Sequence, residues 1–266
     1  MSTHIHIGTS GWSYDDWVGG FYPDGAVQRD YLPTYAEHFD VVEVDSTYYR
    51  PPARRMVEGW RDRTPPHFRF AIKAPGEITH KKMLADCGRE MDELLEALEP
   101  LGERTLCVLL QFGYFNKKTF SGAGPFFDRL DAFLEEYAAR VPLAVEIRNK
   151  WWLGREYFDL LRRRGASAAL AEHSWMPPVD EMIAKHDAVT GPFAYLRLIG
   201  DRHGIEKITT VWSDEVVDRQ ADLTRVAAAL RTLAERVPVY TFANNHYAGH
   251  GPATARRLRR LLDDLA

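Results

Sequence analysis

Two glutamates in matching positions are the first residues in this sequence that suggest chemistry. Glu43 and Glu146 each interrupt a short apolar segment. Two carboxylates across a cleft can serve as general acid and base, or as nucleophile and acid. The alternative is a buried ion-pair network, because Arg148 is two residues from Glu146 on one face and Lys73 is available to Glu43. If the two glutamates are catalytic, Glu146→Gln should abolish turnover and leave the melting temperature nearly unchanged. Severe unfolding of this variant would instead indicate a buried ion-pair network.

Two further groups complete the candidate catalytic set of Glu43, Glu146, Lys73 and His80. Lys73 follows an apolar segment and could be a nucleophilic amine, an anion binder or a charge partner for carboxylates. His80, in the loop beyond it, could be a general acid or base or could stabilise that loop. The sequence leaves these alternatives open.

Candidate substrate-binding residues are cationic, aromatic or amide side chains near the ends of the apolar segments. Arg148 and Arg197 carry planar guanidinium groups that suit a carboxylate or phosphate, or that balance nearby acids. Aromatic faces suit sugar rings and nucleobases, although loops also pack through tryptophan. The set contains Thr9, Trp12, Tyr14, Trp17, Asp45, Tyr48, Tyr49, Gln111, Arg148, Trp152, Arg197, Asn244, Asn245 and His246.

A divalent metal is an alternative that the residue types leave open. Carboxylate and imidazole groups that suit zinc or manganese occur at Glu172, His173, His203 and His246. The sequence has no HExxH or HxxEH motif, and His4 and His6 come at the start of the first apolar segment. We therefore predict no cofactor.

Eight short apolar segments must position these residues. They are His4–Thr9, Val41–Thr47, Phe68–Ala74, Thr105–Phe112, Leu143–Arg148, Ser167–Glu172, Phe193–Ile199 and Val237–Asn244. Nearly continuous apolar runs are typical of parallel strands that are buried on both faces. Helical patterns separate most of them, and this alternation indicates an α/β fold.

Three helix boundaries follow from the residue pattern. The periodicity over Gly124–Arg140 predicts a helix with one apolar face. Gly165 predicts the end of another helix. Ser213, followed by two acidic residues, predicts the start of a long helix that ends near Arg236.

The segment count and the length of 266 residues favour a (β/α)₈ TIM-like barrel, a fold of about 250 residues. A doubly wound open sheet could also hold eight strands, but no GxGxxG motif or P-loop is present. No linker or composition break divides the chain, so we predict a single domain over residues 1–266. Barrel active sites lie at the C-terminal ends of the strands, where the candidate residues concentrate.

Composition excludes some classes of function and location. The net charge of −4 gives no overall basic field to attract nucleic acid. No apolar run approaches the ~18 residues of a membrane span, and the first residues lack the pattern of a signal peptide. Cys87 and Cys107 form no CxxC motif. We expect a cytoplasmic protein without a membrane partner.

Several motifs in order resemble the DUF72 (YecE-like) family. They are Ile7–Tyr14, Phe21–Pro23, Val42–Tyr49, Phe70–Lys73, Ile78–His80, Ala144–Arg148 and Phe242–Asn245, which cover essentially the whole chain. The resemblance implies a TIM-like barrel, in a family whose biochemical activity is not established.

Four loops depart from the family pattern. They follow the fourth, sixth, seventh and eighth segments and read Phe112–Asn116, Glu172–Ser174, Arg197–His203 and Asn244–His246. Any specificity particular to this protein is expected on that side of the cleft, around His173, His203 and His246.

Three functions remain open at this point. The first is an enzyme, a hydrolase or lyase, acting on a polar, anionic, ring-bearing small molecule. The second is a nucleic-acid-binding protein or phosphodiesterase, by analogy with barrels of the endonuclease IV type, although the basic residues of the stretch Arg256–Arg260 belong on an outer helix. The third is a non-catalytic metabolite-binding protein. The oligomeric state is not predicted.

Overall fold

Eight parallel strands form a nearly closed barrel in the computed structural model, which describes residues 4–264. The strands are β1 (Ile5–Thr9), β2 (Val41–Val44), β3 (Arg69–Lys73), β4 (Thr105–Gln111), β5 (Leu143–Glu146), β6 (Ser167–His173), β7 (Ala194–Gly200) and β8 (Val239–Ala243). Strands β2 to β8 pair in chain order, and β8 pairs with β1. A bridge between Ser10 and Glu43 joins the ends of β1 and β2. The predicted barrel is therefore confirmed.

Helices connect the strands on the outside of the barrel. They are α1 (Gln28–His38), α2 (Arg54–Asp62), α3 (Gly88–Leu98), α4 (Ala123–Tyr137), α5 (Arg155–Arg164), α6 (Val179–Lys185), α7 (Arg202–Ile205), α8 (Gln220–Ala234), α9 (Asn245–Ala248) and α10 (Gly251–Asp264). Single helical turns also occur in the loops, at Asp15–Trp17, Ser46–Tyr48, Glu77–Lys81, Glu99–Arg104 and Lys150–Trp152. No helix within residues 4–264 has the length and apolar character needed to cross a membrane.

The barrel interior is packed in layers that follow the alternation of side chains along each strand. Ala144 of β5, Tyr195 of β7 and Phe242 of β8 belong to one buried interior cluster. Side chains two residues apart on a strand point to the same side. Glu146 and Arg197 therefore also point inward, one layer nearer to the C-terminal ends of the strands.

The prediction that a long helix starts at Ser213 was wrong, because α8 begins at Gln220. The amides of Val216 and Val217 donate to the carbonyl oxygen of Ala248, at 2.7 and 3.1 Å. These hydrogen bonds tie the loop after β7 to α9. The amides of this segment are thus satisfied by Ala248 in place of a helical turn.

The other helix boundaries agree more closely with the sequence. The helix expected over 124–140 is α4, and Gly165 ends α5 in the left-handed conformation with φ of 69°. A glycine adopts that φ without the clash that a Cβ would cause. Strands β2 and β5 end at Val44 and Glu146, a few residues before the predicted ends, because tight turns follow them.

Candidate functional site

A buried cluster of charges lies just below the C-terminal ends of the strands. Arg197 donates from Nε and Nη2 to the two carboxylate oxygens of Glu43, both at 2.7 Å, and from Nη1 to Glu146 at 2.8 Å. The exposed fractions of these side chains are 4%, 0% and 1% for Arg197, Glu43 and Glu146. Each nitrogen of the guanidinium group already donates to a carboxylate, and the side chain is almost fully buried, so Arg197 is hardly accessible to a substrate at its present position.

Two further residues complete this cluster, which we call the inner cluster (Glu43, Glu146, Tyr195 and Arg197, with Arg148 at its edge). The Tyr195 hydroxyl donates to Glu43 at 2.7 Å, and Arg148 Nε donates to Glu146 at 2.5 Å. Sequence reasoning missed Tyr195, although its position two residues before Arg197 places both side chains on one strand face.

The inner cluster holds Glu146 in its ionised form. Burial alone would raise the pKa of this carboxyl, but Arg148 and Arg197 outweigh burial and lower it to about 2. A carboxyl with so low a pKa is a poor proton donor and a weak base near neutral pH. The hydrogen bonds and this low pKa therefore favour the ion-pair network over an acid/base role for Glu146.

Arg148 differs from Arg197 in that it keeps free donors. Only its Nε has a hydrogen-bond partner among residues 4–264, and its side chain is 14% exposed. Its two terminal nitrogens are thus available at the open side of the inner cluster. A planar guanidinium with two free nitrogens can bind a carboxylate or phosphate in a bidentate manner.

Lys73 extends from the end of β3 and does not pair with Glu43, contrary to the ion-pair partner suggested by the sequence. The oxygens of Glu43 are taken by Arg197 and Tyr195. Lys73 Nζ lies 4.6 Å from the centre of the Tyr48 ring and, in the described part of the chain, has no carboxylate within 4.0 Å. Burial and the nearby Arg197 lower the pKa of this amine.

His80 lies beside the same tyrosine. Its ring contacts Tyr48 edge-on at 5.0 Å, and its Nδ1 is 2.8 Å from the hydroxyl of Thr79. Burial, followed by the charge of Lys73, lowers the pKa of His80. A Cβ at Gly76 would come within 2.8 Å of Tyr48 Cζ, so only glycine allows the tyrosine to sit there.

Asp45 and Tyr14 lie on the β1–β2 side of the site. Burial and the charge of Glu43 raise the pKa of Asp45, against the opposing effects of Lys73 and Arg197. Burial also raises the pKa of Tyr14, with Asp45 and Glu43 adding to the effect.

Several predicted binding residues instead hold the backbone around the site. The Thr9 hydroxyl donates to the Gly11 carbonyl at 2.7 Å, and Gln111 Nε2 donates to the Phe112 carbonyl at 2.6 Å. Asn245 Oδ1 accepts from the Gly251 amide at 2.8 Å. These side chains are buried, and their contacts shape the loops at the ends of β1, β4 and β8.

The predicted aromatic residues divide between the core and the cleft rim. Trp17 is only 1% exposed and belongs to the core, and Trp152 stacks on Phe126 at 5.7 Å. Trp12 is half-buried with its edge on Trp60. Tyr49 is 86% exposed.

The divergent loops after β7 and β8 contact each other through His246. Its Nδ1 lies 2.6 Å from Asn244 Oδ1, its Nε2 lies 3.2 Å from Glu206, and its ring is 4.7 Å from that of Trp212. Sequence reasoning missed Glu206 and Trp212, which stand in the long connection between β7 and α8. The contact places both loops on one side of the cleft.

The metal alternative has no support in the arrangement of side chains. Within residues 4–264, no three His, Cys, Asp or Glu side chains are grouped so as to hold a metal ion. Glu172 accepts a hydrogen bond from the Val179 amide at 2.8 Å, and His173 accepts one from the Trp175 amide at 3.2 Å. His203 is exposed on α7. These residues therefore do not converge.

Comparison with known proteins agrees with this architecture. The family model described as "Protein of unknown function DUF72" matches residues 6–266. Among curated proteins, the chain is 35% identical to UPF0759 protein YecE of Escherichia coli (strain K12) over 100 residues, covering 38% of this chain and 34% of YecE. It is 29% identical to UPF0759 protein YunF of Bacillus subtilis (strain 168) over 162 residues, covering 58% of this chain and 54% of YunF. These alignments span about a third and about half of the two relatives.

A solved structure resembles nearly the whole chain. The DUF72 family protein from Thermotoga maritima is 27% identical, with a TM-score of 0.78, and the match covers 97% of this chain and 99% of that one. The family model matches almost every residue from β1 to α10. This chain therefore belongs to the DUF72 family.

Proposed function

We propose that this protein is an enzyme, a hydrolase or lyase, that acts on a polar, anionic, ring-bearing small molecule at the C-terminal ends of the barrel strands. The observation that carries the proposal is the pair of free terminal nitrogens of Arg148 at the open side of the inner cluster. A guanidinium whose Nε is fixed by Glu146 is oriented before a substrate arrives, so little side-chain entropy is lost on binding.

The charges of the site support an anionic substrate. Glu43 and Glu146 are balanced by Arg197 and Arg148 within the inner cluster. Lys73 is then the cation whose charge no nearby carboxylate neutralises at contact distance. A substrate carboxylate or phosphate would interact with Arg148 and lie in the field of Lys73.

Lys73 and His80 are the proposed proton-transfer groups. The lowered pKa of Lys73 makes its neutral, basic form more accessible near neutral pH, and the lowered pKa of His80 keeps its imidazole neutral and able to accept a proton. Glu43 and Glu146 act in this proposal as positioning residues, because their carboxylates hold the two arginines. The half-buried faces of Trp12, Tyr14 and Tyr48 would contact the ring.

We place this activity in the cytoplasm. Cys87 and Cys107 are both free thiols and both buried. Thiols of this kind persist in reducing compartments.

Binding of anionic ring compounds tests the proposal. The purified protein would be screened by thermal shift and calorimetry against sugar phosphates, uronates and aromatic carboxylates, with the uncharged parent compounds alongside. We expect one anionic class to bind, and Arg148→Met to weaken it by at least about tenfold, since a charge-assisted pair contributes more than about 1.4 kcal/mol. Arg155→Met is the matched control, because Arg155 is 93% exposed on the same face of the barrel.

Turnover of the compounds that bind would then be followed by NMR. We expect wild-type protein to convert one of them, and Lys73→Met and His80→Asn to stop the conversion while ligand binding persists. The proposal fails if only uncharged compounds bind, or if Arg148→Met and Arg155→Met bind the anion equally well. Tight binding without conversion would indicate a metabolite-binding protein in place of an enzyme.

A further inference from the structure

We propose that Lys73 is a nucleophile that forms an imine with a carbonyl group of the substrate. The inference rests on the proposed function and narrows it to a lyase acting on an aldehyde or ketone that also carries a carboxylate or phosphate. A cyclic sugar acid or sugar phosphate meets this description in its open-chain form.

The first support is that, among residues 4–264, no carboxylate lies within ion-pair distance of the Lys73 amine. Two glutamates are buried in the same barrel interior, yet both are saturated by arginine and tyrosine donors. The neighbouring lysines differ, because Lys81 pairs with Glu77 at 2.8 Å and Lys82 pairs with Glu90 at 2.8 Å. Lys73 Nζ makes no hydrogen bond to any side chain or backbone group of the described ranges. When the amine is neutral, its nitrogen lone pair is therefore free to attack a carbonyl carbon.

The surroundings of Lys73 favour that neutral form. Its amine faces the Tyr48 ring at 4.6 Å, and the guanidinium of Arg197 contributes a like charge in the same interior. Burial and a neighbouring cation are the two conditions under which lysines become nucleophilic amines. Both conditions hold for Lys73 at the end of β3.

The groups needed for the steps of imine formation stand around the amine. The neutral amine adds to the carbonyl carbon, and the carbonyl oxygen takes up a proton to give a carbinolamine. The amine gives up its protons and that hydroxyl leaves as water, so that a C=N bond replaces the C=O bond, one water is released and no electrons are gained or lost overall. His80, which contacts Tyr48 and feels the charge of Lys73, and Asp45, whose pKa is raised by burial and Glu43, are the proton carriers.

The free nitrogens of Arg148 complete the arrangement. An anionic group held by Arg148 would fix the substrate while its carbonyl carbon reaches Lys73. The protonated imine then draws electrons from a bond beside it, which is the chemistry of aldol cleavage and of dehydration. No oxidant or further reactant is needed.

Reductive trapping tests the inference directly. Wild-type protein would be incubated near pH 7.5 with pyruvate or glyoxylate, each of which carries both a carbonyl and a carboxylate, and with sodium cyanoborohydride. We expect peptide mapping by mass spectrometry to find several-fold more reduced adduct on Lys73 than on Lys118, because the lowered pKa of Lys73 leaves more of its amine neutral. Lys118→Arg, an exposed site, is the matched control and should keep the adduct, whereas Lys73→Arg should lose it.

A measurement on wild-type protein guards against misfolding of the Lys73 variant. Limiting acetic anhydride would be applied across a pH series, and the acetylation of each lysine would be quantified. Half-maximal reactivity of Lys73 at a lower pH than that of Lys118 supports the inference. Reactivity at the same pH, or adducts confined to surface lysines, overturns it.

The two proposals fail in distinguishable ways. Arginine-dependent binding of pyruvate or glyoxylate, without an adduct on Lys73, overturns the imine and leaves the anionic-substrate proposal in place. If the adduct on Lys73 forms equally well in Arg148→Met, Arg148 does not bind the substrate anion, and the assignment of Lys73 as the nucleophile is supported.

Discussion

Arg197 and Glu43 lie 154 residues apart in the chain and are joined by two hydrogen bonds of 2.7 Å across the barrel interior. They link β7 to β2, and the third nitrogen of Arg197 links both to Glu146 on β5. The pair thus ties together strands that are not neighbours in the sheet. Removal of the Arg197 guanidinium would leave the carboxylates of Glu43 and Glu146 without a cation in a site with almost no exposure to water.

Replacement of Arg197 by methionine should destabilise the protein strongly. Breaking a buried ion pair from one side costs about 3–5 kcal/mol, because the remaining charge is uncompensated. Urea unfolding at pH 7 measures the loss. Arg155→Met, at an exposed site, should stay within about 0.5 kcal/mol of wild type. A loss below about 1 kcal/mol for Arg197→Met would contradict the assigned geometry.

Tyr195→Phe isolates a single hydrogen bond to the inner cluster. The Tyr195 hydroxyl donates to Glu43 at 2.7 Å, and a hydrogen bond to a charged group contributes about 1.5–3 kcal/mol. We expect the free energy of unfolding to fall by about that amount. Tyr240→Phe on the adjacent strand is the control, because its hydroxyl has no partner among the residues that the structure describes. Equal effects of the two substitutions would show that the bond to Glu43 is unimportant.

Glu146→Gln should cost stability in a pH-dependent way. The folded-state pKa of Glu146 is about 2, below its usual value of 4.5, so its contribution is complete above about pH 4.5 and disappears as the pH falls through 2. A shift of this size corresponds to about 3 kcal/mol. The difference between wild type and variant in unfolding free energy should therefore be large at pH 7 and should shrink toward pH 2. A difference that is constant with pH would contradict this assignment.

His250 should make the fold sensitive to mild acid. It is 6% exposed, and burial lowers its pKa to about 4 despite the nearby Asp214. The unfolded chain binds a proton near pH 6.5, so stability should fall as the pH drops from 6.5 to 4, by up to about 3 kcal/mol.

The substitution His250→Gln should flatten this part of the stability curve. Guanidinium unfolding at pH 6.5 and pH 4 would measure it, with His203→Gln on the exposed helix α7 as control. If the two variants retain the same acid sensitivity as wild type, another group is responsible.

The strands and their inward residues could be predicted from the sequence because their signals are local. Continuous apolar runs separated by helical patterns identify parallel strands, and alternation along each strand places Glu43 and Glu146 on the inner face. The ordered motifs around these residues identified the family. The helix expected at Ser213 failed for the opposite reason, since Val216 and Val217 bind Ala248, a residue distant in sequence.

The sequence by itself determined the barrel, the end of it that carries polar groups, and the residue types gathered there. Only the tertiary structure decided which charges pair. When the barrel closes, Arg197 binds both glutamates. Lys73 then lies against Tyr48, and Arg148 keeps two terminal nitrogens without a partner in the described chain. The physical reason is that a buried charge takes whichever partner the packed interior brings within hydrogen-bond distance, and that distance depends on strands far apart in the chain.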